Sequence, residues 1–150
     1  MLVKLQKKYI VVYRLGNPCK FNMKKIYDFA NKKSLKVVYI TGNCLYDKYP
    51  KTYASIEEWL CFIDNAEYVL TNSFHCAVFS LIFNKKFAVI PLKGTGFGFN
   101  TRLETLFEIF NIKPRWFTED FSILDEPMNP ILKAEKEFYI EEILDNSFQN

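Results

Sequence analysis

The sequence predicts one α/β domain of three layers (αβα), in which a mainly parallel sheet of four to five strands is covered by helices on both faces. Strand and helix patterns alternate at least four times along the 150 residues, and parallel strands need a crossover of helical size between them. Hydrophobic residues make up 49% of the chain and charged residues 25%, which is typical of a globular domain with its own core. We therefore expect residues 1–150 to form a single Rossmann-like domain.

Short runs of β-branched and aromatic residues predict the strands, because a strand buried on both faces shows no polar alternation. Gly16, Gly42 and Pro91 mark the ends of three of these runs. The predicted strands are residues 8–15, 35–40, 67–71 and 87–90, with a short fifth strand at 115–118.

Capping residues predict where two of the helices begin. Asn22 can accept a hydrogen bond from a first-turn amide, and Ser55 with Glu58 forms a capping box. The predicted helices extend from Asn22 to about residue 33 and from Ser55 onwards. A third has His75 in its first turn and continues over 77–83, a fourth covers about 101–110, and an acidic one covers about 130–145.

The residues with the most unusual chemistry follow the predicted strands, at the sheet edge where parallel α/β sheets bind ligands. After the third strand come Asn72 and Ser73, and then His75, the only histidine, in the first turn of a helix. Free amides and the helix dipole at such a position attract anions and favour a neutral imidazole, so that His75 can exchange protons. The alternative is a packed histidine whose nitrogens bond to the backbone and to a capping hydroxyl.

A second group of candidates follows the fourth strand. Lys93, Gly94 and Gly96 belong to a glycine-rich loop whose backbone could approach a ligand, although a flexible loop with aromatic plugs explains the same pattern. Arg102 comes just after the possible cap Asn100, where a cation opposes the helix dipole and a bound phosphate or carboxylate would explain it. A surface arginine paired with a neighbouring carboxylate is the alternative.

Charge and cysteine content exclude several classes of function. Residues 1–53 hold 12 basic and 2 acidic side chains, but 17 of the chain's 20 cations are lysine, whereas surfaces that read nucleic acid rely on arginine. We therefore expect no nucleic-acid partner. The four cysteines stand apart and the histidine is alone, so neither a metal site nor a cofactor is expected. No apolar run approaches the roughly 20 residues of a membrane span and no secretory pattern begins the chain, which predicts a cytoplasmic protein.

Four stretches of the chain resemble the polysaccharide pyruvyl transferase family. They are residues 58–60 (EWL), 65–75 (NAEYVLTNSFH), 79–85 (FSLIFNK) and 100–103 (NTRL). The Ser-Phe-His stretch followed by Asn-Lys before a strand is the most specific part, and the resemblance extends from about Tyr9 to Leu124. It implies the carboxyl-terminal one of two Rossmann-like domains that face each other across a cleft, as in GT-B glycosyltransferases.

The resemblance implies transfer of pyruvate from phosphoenolpyruvate to hydroxyls of a cell-surface polysaccharide, with a ketal as product. His75 matches the family's histidine and would be the catalytic acid/base, and Arg102 matches an arginine that would bind the donor's phosphate or carboxylate. The acceptor would be a sugar or a lipid-linked glycan. Many relatives have glycine where this chain has Cys76, which predicts added bulk beside the pocket. The expected substrate-binding residues are Asn72, Ser73, Lys93, Gly94, Gly96 and Asn100.

The resemblance implies that the chain corresponds to one half of the family members. We therefore expect it to have little or no activity in isolation, because a cleft with one wall cannot exclude water or hold two substrates. A missing N-terminal domain, or self-association, would cover its exposed apolar face. Two other functions stay open: half of a nucleotide-sugar glycosyltransferase, and a non-catalytic glycan-binding module suggested by the tyrosine-rich loop at residues 46–53.

Overall fold

The computed structural model describes residues 7–16, 22–41, 47–91 and 97–128. Along these ranges strands and helices alternate, and a short 3-10 helix follows at Phe121–Asp125. The strands are β1 (Tyr9–Arg14), β2 (Lys36–Thr41), β3 (Tyr68–Thr71) and β4 (Lys86–Val89). The helices are α1 (Met23–Lys32), α2 (Ile56–Asp64), α3 (Phe74–Ile82) and α4 (Phe97–Ile109).

The four strands form one parallel sheet in the order β2-β1-β3-β4. The chain runs outward from β1 to β2, then returns past β1 to β3, so the direction of winding reverses between β1 and β3. Trp116, within the predicted fifth strand, forms a single parallel bridge to Val89. The predicted α/β class with a parallel sheet of four to five strands is confirmed.

Helices cover both faces of the sheet, and alternate strand residues point to opposite faces. On one face Ile10 packs in a buried cluster with Ile26 of α1. On the other face Val11 packs in a second cluster with Ile63 of α2, Leu81 of α3 and residues of α4. The continuous apolar runs of the strands are therefore explained by burial from two sides.

The caps lie where the sequence places them. The Asn22 side chain accepts a hydrogen bond from the Lys24 amide, and the Ser55 hydroxyl accepts one from the Glu58 amide. Each bond satisfies a first-turn amide that has no partner within its own helix.

Helix α4 begins at Phe97, one turn earlier than predicted, so Asn100 does not cap it and Arg102 lies beyond its first turn. The glycine-rich loop was expected to extend over residues 93–100 and thus to include Gly98. Glycine weakens a helix by about 1 kcal/mol. In the structure Gly98 is exposed in the helix, and burial of Leu103 and Leu106 in the core offsets its low propensity. The acidic helix predicted over 130–145 lies outside the described residues.

Candidate functional site

Asn72 joins the end of β3 to the end of β1. Its amide oxygen accepts a hydrogen bond from the Leu15 amide at 2.7 Å, and its amide nitrogen donates to the Leu15 carbonyl at 3.0 Å. The side chain thus mimics a backbone pair and continues the sheet by one residue. Asn72 is buried, with 3% of its surface exposed. Its expected contact with a substrate stays a prediction, whereas its role in fixing this junction is visible.

Ser73 caps helix α3. Its hydroxyl accepts a hydrogen bond from the Cys76 amide at 3.3 Å, and its own amide donates to the Thr71 hydroxyl at 3.0 Å. These short-range bonds turn the chain from strand to helix within two residues and place His75 in the first turn. The predicted position of the histidine is therefore confirmed.

An open cleft of about 610 Å³ lies at the carboxyl ends of β1, β2 and β3. The strand ends contribute Tyr13 and Thr41, the start of α2 contributes Ser55, and the start of α3 contributes Ser73 and His75. This is the edge at which the winding of the sheet reverses, where open α/β sheets bind ligands. Hydroxyl groups line the cleft, and none of its described lining residues carries a carboxylate.

Three aromatic rings form one wall of this cleft, which we call the aromatic wall: Tyr13, Trp59 and Phe79. The ring centroid of Trp59 lies 5.2 Å from that of Tyr13 and 5.7 Å from that of Phe79. Contacts of this kind hold aromatic rings in fixed orientations. The aromatic wall therefore offers apolar ring surface to the cleft, while Thr41, Ser55 and Ser73 contribute hydroxyl groups from other parts of the lining.

His75 and Arg102 come together around the ring of Phe74. The Arg102 guanidinium lies over the Phe74 ring, 4.2 Å from its centroid, and the same ring meets the His75 imidazole edge to face at 5.9 Å. His75 is half-buried. Burial, and then the charge of Arg102, lower the pKa of His75 from its ordinary 6.5. The neutral imidazole predicted from the helix dipole thus has two further causes in the structure.

The remaining predicted site residues are placed less directly. Arg102 is exposed and is not among the described residues that line the cleft, although its charge acts on His75. Asn100 is half-buried within α4. Lys93, Gly94 and Gly96 lie outside the described residues.

Cys76 does not add bulk beside the cleft as predicted. Its side chain is fully buried in the core cluster shared by the sheet and α3, and burial raises the pKa of its thiol to about 12. The residue after His75 points into the core because successive helix positions differ in direction by about 100°. Across the described part of the chain, no three His, Cys, Asp or Glu side chains come together as metal ligands.

The aromatic wall was not predicted from the sequence. From the sequence, Trp59 was assigned only to the helix that begins at Ser55, and Tyr13 to a buried strand. Tyr13 and Thr41 could have been found from their places at the ends of strands, since those ends form the ligand edge of the sheet. Trp59 could not, because its neighbours depend on how α2 packs against α3.

Comparison with known protein families gives a match. A model of the polysaccharide pyruvyl transferase family matches residues 2–94, more than half of the chain. The matched range includes the junction of β3 and α3 with His75, and it ends before Gly96, Asn100 and Arg102. No curated protein and no solved structure gives a significant match. No helix within the described ranges is long and apolar enough to cross a membrane.

Proposed function

The chain belongs to the polysaccharide pyruvyl transferase family, and on that premise we propose that its cleft serves the transfer of pyruvate from phosphoenolpyruvate to sugar hydroxyls of a cell-surface polysaccharide. One observation carries the proposal: the only histidine of the chain stands on the wall of the cleft, in the first turn of α3. Ketal formation needs proton transfer, and imidazole is the side chain that exchanges protons near neutral pH.

In this reaction the methylene carbon of phosphoenolpyruvate takes a proton, and the neighbouring carbon becomes cationic. One sugar hydroxyl adds to that carbon and loses its proton. Phosphate then leaves with the bonding electron pair, and the carbon becomes cationic again. A second hydroxyl completes the ketal by adding to this carbon and passes its proton to the departing phosphate, which leaves as hydrogen phosphate. His75 donates the first proton and accepts one from an attacking hydroxyl, so the imidazole returns to its starting state.

The donor carries phosphate and carboxylate groups, which suit the start of α3. The positive end of the helix dipole and the guanidinium of Arg102 both favour negative charge beside His75. The bound anion in turn favours the imidazolium that must donate the first proton, against the burial and the cation that lower its pKa.

The acceptor sugar suits the aromatic wall. Tyr13, Trp59 and Phe79 offer apolar ring surface, while Thr41 and Ser55 offer hydroxyl groups in the same cleft. A saccharide presents both kinds of surface, with C–H groups on its ring faces and hydroxyls around its edge. We expect the acceptor to be a sugar or a lipid-linked glycan.

The nucleotide-sugar alternative finds less support in this cleft. Nucleotide sites commonly place a carboxylate on the ribose hydroxyls, and the described lining residues include none. Calorimetry separates the two readings: phosphoenolpyruvate should bind with a measurable heat, and nucleotide sugars at equal concentration should not. The reverse result would replace the proposed donor.

The decisive experiment replaces His75 by asparagine, which keeps a polar group of similar size but cannot exchange protons at neutral pH. Ketal formation is followed by mass spectrometry under single-turnover conditions with protein in excess, so that slow transfer is still detected. His75→Asn should lower the rate at least about a hundredfold. The matched control is Lys36→Met, an exposed residue at the start of β2 and thus at the opposite edge of the sheet.

Equal rates for His75→Asn and the unchanged protein would refute the acid/base role. We expect the overall turnover of this chain to be low, because the described residues form an open cleft that water can enter. We also expect the protein to act in the cytoplasm, where phosphoenolpyruvate is made.

A further inference from the structure

A hydrogen-bonded chain of polar side chains links the end of β1 to the segment that precedes α2. The Nη1 group of Arg14 donates to the Tyr39 hydroxyl at 3.3 Å, and this hydroxyl donates to Oδ2 of Asp47 at 2.9 Å. The ammonium of Lys51 pairs with the other carboxylate oxygen of Asp47. We call these four residues the Asp47 network. It ties two strands to the segment at residues 47–52.

Backbone and ring contacts reinforce the Asp47 network. The Thr52 amide donates to the Tyr39 carbonyl at 2.6 Å, and the Tyr49 amide donates to Oδ1 of Asp47 at 3.0 Å. The ring of Tyr49 stacks on that of Tyr27 in α1, with 5.0 Å between centroids. Residues 47–52 are therefore held against β2 and α1 from several sides.

Much of the charge of the Asp47 network is withdrawn from water. Arg14 is only 4% exposed, and the side chains of Lys51 and Asp47 are 14% and 25% exposed. Withdrawing charges from water is costly, and apolar residues of similar volume are often at least as stabilising. Stability alone is therefore a weak explanation for this arrangement, whereas fixing one geometry of the segment is a sufficient one.

The segment leads directly into the cleft. Ala54, Ser55 and Ile56 line it, and α2 then brings Trp59 into the aromatic wall. We propose that Asp47 is a positioning residue, which through the Asp47 network holds residues 52–56 and the start of α2 in place as one side of the substrate cleft. The proposal rests on the proposed function only in taking this cleft as the binding site.

The test uses the fluorescence of Trp59, read in a Trp116→Phe background because the chain has two tryptophans. Acrylamide quenching of Trp59 should rise at least about twofold in Asp47→Ala, because release of the segment opens the cleft wall to solvent. Tyr39→Phe removes only the hydroxyl that joins Arg14 to Asp47 and should increase quenching less. Lys51→Arg keeps the positive charge that pairs with Asp47, so its quenching should equal that of the protein with Lys51 unchanged.

The matched control is Asp28→Ala. Asp28 is also paired with a lysine four residues away, Lys24, but on the exposed surface of α1 and outside the Asp47 network. Its replacement should leave the quenching of Trp59 unchanged. Unchanged quenching in Asp47→Ala, or an equal rise in Asp28→Ala, would overturn the proposal. If Asp47→Ala does not fold, Tyr39→Phe decides, since it deletes a single oxygen atom.

A kinetic measurement connects the positioning to binding. Asp47→Ala should raise KM for the acceptor at least about fivefold while kcat changes less than about twofold, because the group that transfers protons is untouched. A fall in kcat with KM unchanged would overturn the positioning role. Failure of the unchanged protein to bind phosphoenolpyruvate would instead refute the proposed function and leave the quenching result standing.

Discussion

Phe74 is the residue that brings His75 and Arg102 into one electrostatic unit. The sequence separates these two candidate site residues by a strand and a loop, and only the packing of α4 against α3 places the guanidinium over the Phe74 ring. An arginine held on an aromatic face keeps its charge while losing rotational freedom. The guanidinium charge is therefore held near the imidazole, where it disfavours protonation of His75.

Arg102→Met should raise the pKa of His75, because the cation is one of the two causes that lower it and burial is the other. The folded protein holds the pKa of His75 below the ordinary value of 6.5, so its imidazole binds a proton less readily than that of the unfolded chain. The contribution of His75 to the free energy of unfolding is therefore fully present above pH 6.5 and is lost as the pH falls through the folded-state pKa. In Arg102→Met the pKa of His75 should lie closer to 6.5, so this variant should lose less free energy of unfolding than the unchanged protein as the pH falls. Imidazole proton resonances of the only histidine report the pKa directly, and an unchanged or lower value in Arg102→Met would contradict the prediction.

At the scale of elements, the junction between β1 and β3 depends on one side chain. Asn72→Ala should lower the free energy of unfolding by about 1 to 3 kcal/mol, because it removes a buried side chain and leaves the amide and carbonyl of Leu15 without these partners. Asn72→Asp keeps the acceptor but turns a carboxylate oxygen toward the Leu15 carbonyl, so it should not restore stability. Urea denaturation measures the free energy of unfolding of each variant. The dependence of this free energy on urea concentration should be the same in all variants, so that their midpoints can be compared.

The control for this prediction is Asn65→Ala at the end of α2. Its amide also donates to a backbone carbonyl, that of Cys61, but at an exposed site where water can replace it. The loss should stay within about 0.5 kcal/mol, as for most exposed sites. Equal losses at Asn65 and Asn72 would show that the junction carries no special stability.

The elements also show what local sequence can predict. The caps Asn22 and Ser55 and the turn at Gly16 act within a few residues, so they placed three boundaries well. The start of α4 was wrong because the local cost of Gly98 is overcome by core packing more than a turn away. The position of His75 followed from the order strand, cap, helix. The proximity of His75 to Arg102 and the position of Trp59 in the cleft wall could not be predicted in the same way. Both depend on contacts between helices, which no spacing along the chain encodes.

For the whole molecule, the strand order explains why the site lies where it does. The α1 crossover leads outward from β1 to β2, and the α2 crossover leads back past β1 to β3. A parallel sheet wound in this way opens a crevice at the carboxyl ends of its strands where the winding reverses. His75 reaches this crevice from α3, the aromatic wall from β1, α2 and α3, and the segment fixed by Asp47 from the chain that precedes α2. A ligand that contacts all of them would connect both halves of the sheet. Its binding should therefore raise the free energy of unfolding of the entire domain.

Phosphoenolpyruvate should accordingly raise the free energy of unfolding, by about 2.7 kcal/mol at a concentration a hundred times its Kd, because it binds the folded chain and not the unfolded one. Arg102→Met should shift this stabilisation to higher donor concentration, since part of the positive potential beside His75 is gone. Lys36→Met loses an equal charge at the opposite edge of the sheet and should respond like the unchanged protein. Urea transitions over a series of donor concentrations measure all three. If the donor stabilises no variant while a glycan stabilises each of them equally, the cleft binds sugars without the donor, and the chain acts as a glycan-binding module.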